Sequence, residues 1–146
     1  MEMNNVKDCF EKRLLREISP DLERSKKSIE TSERKLKKAE AAFEKEMFDI
    51  VIIRSYECMF HAARALLFKD GIVEKAHICV VLYLQKYYTE LGKLEQRFIN
   101  ILNNLRIIRH SEFYDLEEIS YSIQDAEITI KDAEEFLNKI KSILKL

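Results

Sequence analysis

The chain carries almost no structural punctuation. Its 146 residues include 2 glycines, Gly71 and Gly92, and 1 proline, Pro20, where average usage would place roughly 10 and 7. Doubly wound sheets, sandwiches and barrels need turn residues at every strand end, so those folds are nearly excluded and an all-α fold remains. The same scarcity removes phosphate-cradling loops, because two isolated glycines build neither Gly-x-Gly-x-x-Gly nor a P-loop. Any chemistry must therefore come from side chains on helices. With 47% hydrophobic and 35% charged residues, the chain can bury a core and stay in solution.

Periodicity predicts an up-and-down bundle of four to five main helices, read as a single domain over 1–146. An N-terminal helical extension is expected within 1–18, with Phe10, Leu14, Leu15 and Ile18 on one side. Ser19-Pro20-Asp21 reads as the start of the bundle proper, 20–145, with Ser19 as cap and Pro20 in the first turn. The helix at 20–45 has one thin stripe of Leu22, Ser25, Ile29, Ser32, Leu36, Ala39 and Phe43. From 47 to 69 the chain is apolar on nearly every side, as a central helix would be, and Asp70-Gly71 ends it. Further helices are expected over 74–90, 93–112 and 122–145, the last capped by Ser120 or Ser122.

Bulk charge excludes little more. There are 25 basic and 26 acidic residues, so no overall polyelectrolyte signal points to nucleic acid. The distribution is uneven: residues 47–111 carry 9 basic and 6 acidic groups, and 112–146 carry 4 and 9. Cys9, Cys58 and Cys79 form no CxxC and read as buried thiols of a reducing cytosol. No signal peptide or membrane-length apolar run is present, so a cytoplasmic protein that avoids membranes is expected. No histidine pair has metal-ligand spacing, and neither metal nor cofactor is expected.

The polar residues that break apolar stripes are the candidates for chemistry. On a wheel of the 93–112 helix, Phe98, Leu102 and Leu105 define the buried face, and Arg109 falls about 20° from it. A guanidinium there needs an anion: a structural partner such as Asp49 or Glu57, or a ligand. Arg106 and His110 share the adjacent shoulder, with Glu112, Tyr114 and Asp115 just beyond. Arg109 and His110 are the pair that metal-independent RNA cleavage would require, as charge stabiliser and general base. The bland alternative is a basic helix end. On the central helix, Arg54, Glu57, His61 and Arg64 form one polar stripe, either an ion ladder or one wall of a pocket facing Arg109. His77 reads as local structure, and Tyr56, Phe60, Tyr83, Tyr87 and Phe98 as mostly core.

Together these segments carry a resemblance. Arg54-Ser55-Tyr56-Glu57-Cys58-Met59-Phe60-His61-Ala62-Ala63-Arg64-Ala65-Leu66-Leu67 resembles the signature central helix of the HEPN family, in its small stand-alone archaeal and bacterial subfamily. Lys75-Ala76-His77, the run from Leu105 to Asp115, and Asp132-Ala133-Glu134-Glu135-Phe136 resemble its other conserved segments, so the likeness covers about 30–144. The resemblance implies a helical bundle, a two-fold homodimer, and a small nucleotidyltransferase partner. It also implies a toxin–antitoxin type pair or a nucleotide-binding subunit. Many members are ribonucleases with an arginine, four to six residues, then a histidine; here Arg109 leads instead to Tyr114-Asp115. Tyrosine, with an ordinary pKa of about 10, is a poor base at neutral pH. It suits a nucleotidyl acceptor or a hydrogen-bond partner of Arg109. The resemblance thus leaves three readings: a nucleotidyltransferase partner with Tyr114 as acceptor, an endoribonuclease acting through Arg109 and His110, and a structural helical dimer. Arg54, Glu57, His61, Arg106 and Asp115 would line a nucleotide or polar pocket, and RNA or a nucleotide would be the ligand.

Overall fold

The computed structural model describes residues 5–116 and 118–146, so the first four residues of the expected N-terminal extension lie outside the described residues. Six helices and one small strand pair follow in the order α1 (Val6–Glu11), β1 (Leu15–Glu17), α2 (Leu22–Glu44), α3 (Phe48–Asp70), β2 (Ile72–Glu74), α4 (His77–Leu84), α5 (Gln96–Tyr114) and α6 (Ile123–Leu144). The all-α bundle is as expected. Sheet structure among the described residues is limited to an antiparallel ribbon in which Leu15 faces Glu74, Arg16 faces Val73 and Glu17 faces Ile72.

Helix α3 runs through the middle. Val51, Ile52, Tyr56, Met59, Ala62, Ala63, Leu66 and Leu67 are all buried along it, as its all-round apolar character requires. Helix α2 packs on α3 through small residues. Ser25, Ser28 and Ser32 donate hydroxyl hydrogen bonds to the backbone carbonyls of Ala65, His61 and Cys58 at 2.7, 2.6 and 2.7 Å. A leucine at these positions would hold the helices apart, and each buried hydroxyl needs an acceptor. Leu22, placed on this stripe by periodicity, is 63% exposed instead. Helices α5 and α6 join at one end through Phe98 against Phe136, with ring centroids 5.4 Å apart, and Arg97 paired with Glu135 at 2.6 Å.

Several boundaries correct the sequence reading. The expected helix within 1–18 stops at Glu11, because Arg13 turns left-handed at φ 58° and Leu15–Glu17 leave to pair with β2. Asp21, not Ser19, caps α2, its carboxylate accepting from the Arg24 N–H at 2.9 Å. The expected helix over 74–90 begins only at His77, since Ile72–Glu74 are committed to the ribbon. After Leu84 it widens into a π turn over Gln85–Thr89. There the hydroxyls of Tyr83 and Tyr88 both donate to Asp70, at 2.9 and 2.7 Å. Gly71 ends α3 at φ 78°, and a Cβ there would lie 2.6 Å from the Ile18 carbonyl oxygen, so only glycine fits. Ser122 caps α6 in a reciprocal box with Asp125, as one of the two serines expected.

The cysteines are the largest correction. Cys9 on α1 and Cys79 on α4 form a buried disulfide, with Cα atoms 5.9 Å apart, across a separation of 70 residues. Pairing of β1 with β2 draws the two helices together, a proximity that cysteine spacing does not encode. Cys58 is the free buried thiol, and burial pushes it up to about 11.

Candidate functional site

Helix α5 carries the second polar run. Arg106 is half-buried, and its Nε and Nη2 both donate to Asn103 Oδ1, one turn earlier, at 3.0 and 2.9 Å. Arg109 is also half-buried, its guanidinium carbon 6.0 Å from the centroid of the Tyr56 ring. Neither Asp49 nor Glu57 pairs with Arg109, and no described carboxylate forms an ion pair with it or with Arg106. His110 is exposed and lies against Tyr114, ring centroids 4.7 Å apart. Tyr114 is itself 62% exposed, and Phe113 meets it edge-on at 4.8 Å. Asp115 is exposed at the helix end, while Glu112 accepts a hydrogen bond from the Tyr121 hydroxyl.

The charged residues of the stripe singled out on α3 are paired with other groups rather than with the two arginines. Arg54 and Glu57 pair at 2.7 Å, and Lys35 of α2 reaches the other Glu57 oxygen at 2.7 Å. Burial alone would raise Glu57, but Lys35 and Arg54 outweigh it and hold the carboxyl below its usual range. That cluster is an ion ladder engaged with α2. Arg64 likewise turns to Glu74 at 2.8 Å. His61 is half-buried with its ring edge-on to Phe60, and burial followed by Arg64 and Lys35 lowers its pKa.

Arg109 meets the ring of Tyr56, and both arginines act on Tyr56 and His77 through their charge. The Tyr56 hydroxyl lies 2.6 Å from His77 Nδ1, and the His77 ring stacks on Phe60 at 3.9 Å between centroids. Burial, then Arg109 and Arg106, push His77 down to about 4, so its imidazole is neutral at pH 7. Burial pushes the Tyr56 phenol up to about 12 against the pull of the same two guanidiniums. His77, which reads from sequence as local structure, is thus the histidine that the two arginines act on. The wheel could not find this, because His77 lies on another helix, 21 residues from Tyr56. The one local signal was Tyr56-x-x-x-Phe60, whose rings stack at 6.0 Å.

These segments fall inside a stretch with recognisable relatives. The HEPN domain model matches residues 25–143. The chain belongs to the HEPN family. This HEPN chain is similar to two proteins of Methanocaldococcus jannaschii. It is 29% identical to "Putative toxin MJ0605" over 117 residues, which cover 80% of this chain and 86% of that protein. It is 28% identical to "Putative toxin MJ0142" over 135 residues, 92% of this chain and 86% of that protein. Both segments of the polar site, the central helix and the Arg106–Asp115 run, lie within the family match. No helix among the described residues of the HEPN chain is long and apolar enough to cross a membrane.

Proposed function

We propose that this HEPN protein is the toxin-type member of a two-protein pair, acting in the cytoplasm as a homodimer, with a small nucleotidyltransferase as its partner and Tyr114 as the acceptor. The observation that carries this reading is the placement of Tyr114. It is exposed at the last turn of α5, five residues past Arg109, with no described residue hydrogen-bonded to its hydroxyl. A second protein's active site can enclose such a phenol without unfolding anything. In the transfer, the Tyr114 oxygen attacks the α-phosphorus of ATP. The bond from that phosphorus to the pyrophosphate oxygen breaks, pyrophosphate leaves, and the phenolic proton passes to a base of the transferase. The names of the two relatives support a toxin-type role, and exposed Phe113, Tyr114 and Leu116 supply apolar surface for a partner or second copy.

The test is intact-mass and peptide analysis after incubation with ATP and a candidate small nucleotidyltransferase from the same genome. One adenylyl group is expected on Tyr114 in the wild type and none in Tyr114→Phe. Absence of both an adduct and a complex in gel filtration would leave a structural helical dimer as the better reading.

A ribonuclease is the second reading, favoured by the two guanidiniums that no described carboxylate neutralises. Incubation with total RNA in EDTA decides it. Cleavage that disappears in Arg109→Ala or His110→Ala would establish the nuclease. Cleavage surviving both substitutions would place the activity elsewhere.

A further inference from the structure

A cavity of about 380 Å³ lies between α5 and α6. Ile101, Leu105 and Ile108 recur on α5 at spacings of four and three, so one apolar stripe of that helix walls it, together with Ile52 of α3. Tyr121 of the α5–α6 connection also borders it, held in place by its hydrogen bond to Glu112. The α6 wall is different. Asp125, Thr129 and Asp132, again at spacings of four and three, share one face of the helix. The Thr129 hydroxyl donates to the Asp125 carbonyl at 2.7 Å, which leaves its oxygen as an acceptor. Asp125 Oδ2 accepts from the Ser122 N–H at 2.9 Å, and no described donor reaches Oδ1. Asp132 accepts no hydrogen bond from a described residue, and Arg97 stands 3.9 Å from its Oδ1. Burial raises its carboxyl above the ordinary range against the pull of Arg97. Among the described residues that line the cavity there is no lysine, arginine or histidine. The result is an apolar trough edged by a row of acceptors, with its two carboxylates two helical turns apart, about 10 Å along the axis.

We propose that this trough binds a linear aliphatic diamine, with one ammonium at Asp125, the other at Asp132, and the methylene chain along Ile101, Leu105 and Ile108. A primary ammonium carries three donors and no acceptor, the complement of a carboxylate beside a hydroxyl lone pair. Ammoniums drawn inward from the two carboxylates leave a gap that a short methylene chain spans, and those methylenes gain by leaving water for the isoleucine and leucine wall. The same two carboxylates repel a nucleotide or any other anion. A bare divalent metal would leave the apolar wall unused, and no three metal-ligating side chains gather among the described residues. This site goes beyond the acceptor role of Tyr114 and does not depend on it.

The test titrates the full chain alone with putrescine and follows the methyl groups of Ile101, Ile108, Ile128 and Thr129 by NMR. Saturable shifts of these methyls are expected. Butylamine, with one ammonium, should bind about tenfold or more weaker, the loss expected for one charge-assisted hydrogen bond. The uncharged diol analogue of putrescine should leave the signals in place. Asp132→Asn should weaken putrescine by about tenfold or more, and it keeps the Ser122–Asp125 cap of α6. Asp125→Asn, which retains an oxygen for that cap, should do the same. Equal affinity for butylamine and putrescine, the same shifts with magnesium ion, or unchanged binding in both aspartate variants would overturn the proposal. So would the absence of saturable shifts. If that absence came with a dimer that dissociates in Ile128→Asp, the face would belong to a second copy of this chain instead. No transferase or ATP is present, so this result and the fate of Tyr114 are read independently.

Discussion

His77 owes its chemistry to neighbours that arrive from two other helices. Tyr56 and Phe60 come from α3, and Arg106 and Arg109 from α5, with Arg64 and His61 contributing from further along α3. With its pKa lowered to about 4 from an ordinary 6.5, His77 stays neutral in the fold over a range where the unfolded chain takes up a proton. Its contribution to stability is therefore unchanged above about pH 6.5, and falls as pH drops from there towards 4. An NMR titration should find the His77 midpoint near 4 and move it upward in Arg109→Gln, which removes the strongest cation acting on it. A midpoint above 6 in the wild type would contradict this reading. Arg109 was legible in the sequence because one helix wheel contains all the information that marks it. Tyr56 and His77 were not, because an aromatic residue on an apolar helix and a histidine at a helix start acquire meaning only when two elements pack.

At the scale of elements, glycine scarcity becomes a backbone property. The helices α1, α2, α3 and α6 and the π turn all close on a left-handed residue that returns an N–H to the preceding turn. Only Gly71 and Gly92 do so without steric cost. Arg13, Glu46 and Lys145 adopt φ values of 58, 57 and 61°. After α2, the Glu46 N–H donates to the Phe43 carbonyl and the Met47 N–H to that of Ala42, at 3.0 and 2.9 Å, a Schellman closure built on glutamate. The Glu46 side chain is exposed, so Glu46→Gly should raise the unfolding free energy by about 0.5–1 kcal/mol. Urea unfolding checks it, and a loss of stability would show that the left-handed turn carries no strain. Stops supplied by glycine, such as Gly71, and starts supplied by a capping serine, such as Ser122, can be read from sequence. A stop made by arginine or glutamate cannot, which is why the end of α1 was misplaced.

For the molecule as a whole, the Cys9–Cys79 bond closes a ring containing α2, α3 and the ribbon. A crosslink over this separation restricts the unfolded chain, and its loss should cost about 3–4 kcal/mol. Denaturant unfolding of the oxidised chain against Cys9→Ala/Cys79→Ala measures it. Two free thiols at these positions in the purified wild type would remove the basis for the expectation. Helical class and helix order were legible because periodicity is a local property. The ring was not, since it depends on two three-residue strands meeting from opposite ends of the first half.

The ring also divides the polar site. Tyr56 and His77 lie inside the covalent loop, whereas Arg106 and Arg109 belong to the tail of 93–146 that docks against it through ordinary packing. Peeling the tail away would therefore part Arg109 from the Tyr56 ring without breaking a covalent bond.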